Sequence, residues 1–483
     1  MKEKSLKFNM VLNAIKGIMS IVFPLISFPY VSKILGVDNI GKYNFAGSII
    51  GYFVLFSGLG IASYATREGA RIREKKEEFN DFANEMFTIN TIATVIAYIA
   101  LGICIVFASK LQAYTVLLLI FSLQIVFKTI GIEWIYSIYE EYSYITIRSI
   151  VVQLISIIAL FIFVKTEADV NNYAIITVAA NGGANIVNYF HARKFCKLRL
   201  SKNIAWRKHM KPIMLLFATS IAISIYTTVD TTLLGFISGD YYVGLYAVAM
   251  KIYQIVKNIL SAVLVVSIPR LSALLGKNDK VGYKGVASDI YRTLLTLVWP
   301  AVIGMILLRE EIIIIISDAT YLPAADSLAM LSVALIFCLG AWFWGQCVLV
   351  IHMREAVVLK ATIVSGLINL VLSAVLIPIW NVNAAAFTTM VSEGISFVWC
   401  SVASRKYAKL EGIINVEVKI LIGCLIMIAE ILLLKKVLTD MVTFVIASVV
   451  VAAISYFVVE IILKNEAVYE LKNSMLKKFM HKR

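Results

Sequence analysis

The sequence predicts an all-α polytopic membrane protein of about fourteen transmembrane helices, arranged as two pseudo-symmetric six-helix lobes plus a C-terminal helix pair. Three observations predict it. Of the 483 residues, 60% are hydrophobic and only 16% charged, where a soluble domain carries about a quarter charged residues. Apolar runs of about 20 residues, long enough to cross a bilayer as helices, recur along the whole chain. Finally, a short loop is written twice. "GVDNIGKYNFA", Gly36 to Ala46, returns as "GDYYVGLYAVA", Gly239 to Ala249, with Gly36, Gly41, Tyr43 and Ala46 aligned one for one with Gly239, Gly244, Tyr246 and Ala249.

In chain order, the spans start near residues 10, 44, 86, 113, 144, 172, 212, 242, 289, 324, 357, 383, 417 and 440. The first run is long, contains Pro24 and Pro29, and lacks a small-residue cleavage site. It therefore reads as a membrane helix rather than a cleaved leader. The loop after span two holds Arg67, Arg71, Arg73, Lys75 and Lys76, and the loop after span six holds Arg193, Lys194, Lys197, Arg199, Lys202, Arg207, Lys208 and Lys211. Arg270, Lys277, Lys280 and Lys284 come after span eight. The intervening connections, near Gly239, Asp318 and Asn381, have almost no basic residues. Basic loops stay on the cytoplasmic side, which places both termini there and the chain in the plasma membrane as a multi-pass protein. Lys435 and Lys436, between spans thirteen and fourteen, break the pattern.

The repeat extends beyond the loop. Span six, "VAANGGANIVNYFHARKF", and span twelve, "MVSEGISFVWCSVASRKY", end in Arg193–Lys194 and Arg405–Lys406, and Gly182 falls opposite Gly394. At the same register Arg148 of span five falls opposite Lys360 of span eleven. The expected organisation is an N-lobe at 1–195, a basic cytoplasmic linker at 196–211, a C-lobe at 212–407, and spans thirteen and fourteen with a basic cytoplasmic tail at 408–483. Two copies of an even number of spans share one orientation, a parallel repeat typical of transporters, with the substrate site expected between the lobes. Gly36 and Gly239 are expected to adopt turn conformations closed to other residues.

Several chemistries are disfavoured. The net charge of +15 sits in loops between apolar runs, which argues for membrane topology and against nucleic acid. The six cysteines contain no CxxC and the four histidines show no metal-ligand spacing, so neither a metal centre nor a disulfide framework is indicated. No glycine-rich phosphate loop opens a helix of a soluble domain, so no nucleotide-driven pump and no cofactor is expected, although an H+ or Na+ gradient could supply the driving force.

Polar residues inside the spans mark a candidate site. On span one Asn9, Asn13, Lys16, Ser20 and Ser27 share a stripe; on span seven Ser220, Ser224, Thr227 and Thr231 do, with Asp230 at its edge. Span eight carries Lys251, Gln254, Lys257, Asn258 and Ser261 on one face. A charge at the bilayer centre costs roughly 3 kcal/mol, so these groups should line an aqueous cavity or pair with one another. Asp230 could simply neutralise Lys251. Lysine-rich and net positive, a cavity with Lys16, Lys251 and Lys257 suits an anionic group such as phosphate. Asn13 and Asn258 stand beside those cations. Pro24 and Pro29 remove helix hydrogen bonds and form either a hinge or a static kink. Lys128, Glu393 and Glu430 stand apart, as coupling-ion sites or as interhelical contacts; with Asp230, Glu393 is the coupling candidate.

"IEWIYSIYEEYSYITIRSI" (Ile132 to Ile150), "GLGIASYATREGARIREKKEEFNDFANEMFTIN" (Gly58 to Asn90) and "VSKILGVDNIGKYNFA" resemble segments of the Wzx-type polysaccharide-export flippases of the MOP superfamily. These segments cover most of the first lobe; in the second lobe the resemblance is carried mainly by "VDTTLLGFISGDYYVGLYAVAMKI". The resemblance implies a substrate, an undecaprenyl-pyrophosphate-linked O-antigen or capsule repeat unit carried from the cytoplasmic to the outer leaflet by alternating access. A polysaccharide polymerase and other assembly proteins are candidate partners, and the sequence leaves open whether the protein works alone or beside them. Lys16, Lys251 and Lys257 carry over by residue type and setting. Arg67 and Glu68, in "ATREGA", fall in a family segment at the expected cytoplasmic mouth. The competing readings are a cation-coupled multidrug exporter or a lipid II flippase of the same superfamily. A membrane enzyme is disfavoured, because the outer connections are too short to form an acceptor site.

Overall fold

The computed structural model describes residues 6–469, with side chains from Val22 onward. The side chains of Asn9, Asn13, Lys16 and Ser20, and the basic tail with His481, lie outside the described residues. The helices in order are α1 (Leu6–Gly58), α2 (Ile61–Ile72), α3 (Lys76–Phe107), α4 (Ser109–Gln112), α5 (Thr115–Gly131), α6 (Glu133–Ile138), α7 (Tyr142–Phe163), α8 (Val170–Val178) and α9 (Ala184–His191). Next come α10 (Trp206–Ile237), α11 (Asp240–Gly276), α12 (Lys280–Leu307), α13 (Arg309–Ile316), α14 (Ala325–Trp342), α15 (Glu355–Ser404), α16 (Ile413–Val437) and α17 (Met441–Ile462). No strand occurs among the described residues.

Ten spans among the described residues are long and apolar enough to cross a bilayer. Two of them, Val22–Ile72 and Glu355–Ser404, run for 51 and 50 residues, far beyond the roughly 20 that a bilayer accommodates. Each contains a break: Gly36 (φ 72°, ψ 172°) in α1 and Asn381 (φ 48°, ψ −125°) in α15. The chain reverses on a single residue at the places where the sequence predicts short connections. Gly239, at φ 95°, turns the chain between α10 and α11 in the same left-handed region. Within α1 the departure from helical backbone angles lies at Gly36 rather than at Pro24 or Pro29. Proline removes a hydrogen bond but holds φ in the helical range, whereas the turn needs a φ that glycine alone takes freely.

Burial is inverted relative to a soluble protein. Ile92, Val95, Ile96, Ile99 and Ile103 on α3, and Val151, Ile155, Ile158 and Ile162 on α7, are exposed at helical spacing, while Asn90, Ser122, Asn188 and Ser365 are buried. Such apolar stripes would be an aggregation liability in water and are the expected lipid-facing surface in a membrane.

The chain packs as two compact units, Met1–Gly244 and Leu245–Arg483. Equivalent residues of the sequence repeat make equivalent contacts inside them. In the first unit Tyr43 hydrogen-bonds Thr177 of α8; in the second, Tyr246 bonds Thr389 of α15 at 3.1 Å. Gly182 packs on Phe127, and its counterpart Gly394 on Phe337. A repeat read from a handful of letters is thus a repeat of packing.

The first unit includes α10, which the repeat places at the head of the second copy. Two sets of contacts hold it there. At one end, α10 and the start of α11 meet the second half of α1: Thr232 donates to Ser48 (3.1 Å), Thr228 donates to Tyr52 (3.3 Å), and the Phe45 ring packs on Gly235 and Phe236. There the duplicated loop touches itself. A methyl group at Gly41 would overlap the Asp240 carbonyl, and one at Gly244 would overlap the Val37 carbonyl. Gly41 aligns with Gly244 and Val37 with Asp240, so the contact is reciprocal. At the other end His209 of α10 is 1% exposed between Tyr64 of α2 and Glu85 of α3.

The linker between α9 and α10 is an extended strap. Its amides at Lys197, Arg199 and Ser201 donate to Asn80 Oδ1 (2.8 Å), Asn84 Oδ1 (2.7 Å) and Thr88 Oγ1 (2.8 Å) of α3. Four residues of helix rise about 6.0 Å and two residues of extended chain about 6.6 Å, so the two periods run in step. Leu198 and Ile204 pack inward against the apolar cluster around Phe79, Phe82 and Met86.

In the second unit α14 and α15 approach through small buried residues, Ser365, Gly366, Ser373 and Ala384 to Ala386. Hydrogen bonds join Ser327 to Asn383 (2.7 Å) and Ser373 to Thr388 (2.8 Å). Lys435, out of pattern in the sequence, pairs with buried Glu311 of α13 at 2.9 Å. Glu430 of α16 is bonded by the Ser455 hydroxyl of α17, and Tyr456 of α17 donates to the Thr296 carbonyl of α12 (2.8 Å).

The seam and the strap can each be tested by substitution. Gly41→Ala and Gly244→Ala should each destabilise the purified protein by about 1–3 kcal/mol, read as a lowered unfolding midpoint. Gly51→Ala on the same helix, where nothing lies within 4 Å of the added carbon, should not. Burial pushes the Cys196 thiol, at the root of the strap, up to about 12, so it should resist maleimide at pH 7. Replacing Asn80 and Asn84 by alanine, with the other cysteines removed, should raise its labelling roughly tenfold as two hydrogen bonds are lost.

Candidate functional site

The polar face of α11 recurs at helical spacing. Lys251 and Lys257 are half-buried, Gln254 and Asn258 exposed, and Ser261 buried with its hydroxyl on the Asn258 carbonyl (3.0 Å). The Lys257 ammonium lies 5.6 Å from the centre of the Tyr253 ring. It donates to the Cys338 thiol of α14 and faces the carboxylate of Glu393 of α15. Glu393 is 6% exposed. A buried carboxylate far from water needs an opposite charge, and a lysine in a membrane span needs a partner or an aqueous surface. The fold brings Lys257, Cys338 and Glu393 from three helices within electrostatic reach of one another.

The sequence presents Lys257 as a cation of the substrate cavity and Glu393 as a coupling carboxylate standing apart. The structure brings these two together. Asp230 of α10 is 5% exposed. The α10 hydroxyls turn back on their own helix: Ser220 bonds the Leu216 carbonyl (3.0 Å) and Thr227 the Ile223 carbonyl (3.0 Å). They are therefore satisfied without a ligand. Asn13 and Lys16 lie outside the residues whose side chains are described. Lys128, on the last turn of α5, has its side chain beside Gly58, at 3.6 Å from where a β-carbon would stand.

At the basic end of the first unit, Glu68 of α2 holds Arg67 at 3.0 Å and Arg71 at 3.2 Å. Glu68 and Arg71 line a hollow of about 240 Å³ together with Glu78, Asp81, Glu85 and Lys208, with His209 and Tyr64 also in its wall. His209 has its Nδ1 2.8 Å from the Tyr64 hydroxyl and its Nε2 2.8 Å from Glu85, which also accepts the Ala205 amide (3.0 Å). Sequence reasoning reaches Arg67 and Glu68 but misses this triad, because its members come from three helices with no shared spacing. It misses Tyr253 and Cys338 for the same reason. Among the described residues no group of three or more His, Cys, Asp or Glu side chains could hold a metal ion.

Residues 6–275, more than half of the chain, match the family described as "Polysaccharide biosynthesis protein". The chain belongs to that family. This family member is 26% identical over 393 residues to the "Putative O-antigen transporter" of Escherichia coli (strain K12), a match covering 80% of this chain and 94% of that protein. A shorter match, 24% identical over 180 residues, covers 37% of the chain and 38% of the "Probable low-salt glycan biosynthesis flippase Agl15" of Haloferax volcanii. Among solved structures, "Lipid II flippase MurJ, inward closed conformation" superposes with a TM-score of 0.78 at 17% identity, covering 95% of this chain and all of that one. That likeness establishes the fold: an all-α membrane protein of the kind the sequence predicts.

The Lys257–Glu393 pair makes a specific prediction. Lys257→Gln and Glu393→Gln should each lower the unfolding midpoint, since each strands a charge. The double variant should lose less than the sum of the two, with a coupling of about 1–3 kcal/mol. Additive losses would show that the two charges do not interact.

Proposed function

We propose that the protein is a flippase that moves an undecaprenyl-pyrophosphate-linked oligosaccharide from the cytoplasmic to the outer leaflet of the plasma membrane. It serves cell-surface polysaccharide synthesis, such as that of O-antigen or capsule. The observation that carries this reading is the match, over 80% of the chain, to a relative named for O-antigen transport. The lysines of α11 support it, because cations held within a membrane span suit a pyrophosphate better than a cationic drug. On this reading the basic loops and both termini face the cytoplasm, as the positive-inside pattern favours, with Arg67 and Glu68 at the cytoplasmic mouth.

In this mechanism Lys16, Lys251 and Lys257 hold the pyrophosphate, with Asn13 and Asn258 as neutral donors, while the prenyl tail stays in lipid. The Lys257–Glu393 pair ties binding to the driving ion. A multiply charged pyrophosphate draws Lys257 away from Glu393, and the released carboxylate then takes up H+ or Na+. Asp230 is the second carboxylate available to such exchange. Pro24 and Pro29 supply the flexure of α1 during alternating access, since each removes a helix hydrogen bond. The lobes that move are 1–195 and 212–407, joined by the linker 196–211, with 408–483 appended. Translocation breaks no covalent bond, and a polymerase on the outer face would receive the product.

Cells lacking the protein should accumulate complete oligosaccharide diphospholipid, measured by mass spectrometry of lipid extracts, while surface polysaccharide is lost. Restoring the gene with Lys16, Lys251 and Lys257 changed to glutamine should leave the protein inserted but transport abolished. An unchanged lipid pool with normal surface glycan in the deletion strain would overturn the proposal.

A further inference from the structure

The strap between α9 and α10 has an outer surface that the transport reading does not use. Its amides at Lys197, Arg199 and Ser201 are committed to α3, and Leu198 and Ile204 face the core. That anchoring leaves Lys197, Arg199, Leu200 and Lys202 exposed. Leu200 is 63% exposed, unusual for a leucine set between an arginine and, two residues on, a lysine.

Leu200 lies where the strap meets the lipid-facing stripe of α3. With Thr88, Thr91, Ile92, Val95 and Ile96 it lines a slot of about 230 Å³ that contains no charged residue. Thr88 is also the last rung of the ladder that holds the strap. The slot runs along α3 from Thr88 to Ile96, a rise of about 12 Å. Arg199 and Lys202, exposed and one and two residues from Leu200, thus flank in the chain an apolar slot that runs along a membrane helix. A second hollow at the other end of the strap places Lys76, Arg193 and Lys197 together with Glu77 and Asp81, so opposite charges offset one another there.

We propose that this surface binds one anionic phospholipid of the leaflet on the basic side of the protein, with its phosphate at Arg199 and Lys202 and an acyl chain in the slot along α3. The amphiphilic partner matches both halves of the site: a soluble anion would not need the slot, and a neutral lipid would not need the cations. Arginine on an immobilised backbone suits phosphate because its donor fork is already oriented. The strap is pinned at three amides before any lipid arrives, so little chain ordering opposes binding. The inference is independent of what the protein transports.

The test uses the purified full-length protein in a neutral detergent, titrated with phosphatidylglycerol or with phosphatidylcholine and read by native mass spectrometry and unfolding midpoint. Phosphatidylglycerol should bind in preference and raise the midpoint, with the effect weakened by salt. The double variant Arg199→Gln/Lys202→Gln should bind it roughly thirty-fold more weakly, the loss expected for two cations at a membrane surface. Leu200→Ser should weaken it as well. Lys277→Gln/Lys280→Gln, in another basic loop, should not. Midpoints without lipid report whether each variant is folded. Equal binding of the two lipids, or equal phosphatidylglycerol binding by the protein and Arg199→Gln/Lys202→Gln, would overturn the proposal. So would equal protection by inorganic phosphate alone, and unchanged binding in Leu200→Ser would remove the acyl chain from the site.

Discussion

The reciprocal approach of Gly41 to the Asp240 carbonyl and of Gly244 to the Val37 carbonyl is the constraint on which much of the first unit depends. Backbone meets backbone there, so no side chain can adjust the distance, and the two copies of the loop must lie face to face in one register. From this fixed point the contact runs inward along α1 and α10, from Phe45 on Gly235 to Ser48 on Thr232 and Tyr52 on Thr228. Threonine hydroxyls four residues apart on one helix meet residues four apart on the other, the spacing at which side chains share a face. Helices in lipid gain little from burying apolar surface against one another, so close backbone approach and interhelical hydrogen bonds hold them. This seam contains both.

The same scarcity of solvent explains the polar chemistry. Water cannot satisfy a buried hydroxyl or charge in a bilayer, so each must be answered from the protein. Ser220 and Thr227 of α10 answer themselves by bonding back to the preceding turn, while Thr228 and Thr232 also reach across to α1. Lys435 answers Glu311 in an ion pair, and Lys257 meets Cys338 and the charge of Glu393. The last arrangement differs in kind. A thiol and an aromatic ring are weak partners for an ammonium, and Glu393 adds an electrostatic attraction to them. Weak partners of this kind hold a cation less rigidly than a bidentate clamp does.

Much of the architecture was legible in the sequence because membrane helices obey a length rule and a charge rule that local composition satisfies openly. Gly36, Gly239 and Asn381 were readable as turns for the same reason, since few residues stand in these short connections. The repeat was legible at Gly41 and Gly244, where geometry tolerates no other residue, and its packing counterpart, Tyr43 on Thr177 and Tyr246 on Thr389, preserves both partners. The membership of α10 in the first unit was not legible. A repeat records ancestry of segments, whereas packing is decided by contacts between segments distant in sequence, such as His209 with Tyr64 and Glu85. The Lys257–Glu393 pair was hidden likewise: each residue stands out in its own span, but nothing local to either one names the other.

The strap shows how a linker can carry structural information without secondary structure of its own. A basic loop between two membrane helices ordinarily needs only to be long enough and positively charged. Here Asn80, Asn84 and Thr88 stand at helical spacing along α3 and meet every second amide of an extended chain, and the near equality of the two repeats lets three bonds form in succession. Thr88 donates to the Asn84 carbonyl (2.6 Å), which leaves its oxygen oriented to accept the Ser201 amide. The strap then delivers the chain to Glu85 through Ala205 and to His209 one helical turn later. The end of α10 fixed near Gly41 and Gly244 thus has a fixed counterpart at the opposite end. A helix pinned at both ends to α1, α2 and α3 packs with the first unit, whatever its place in the repeat.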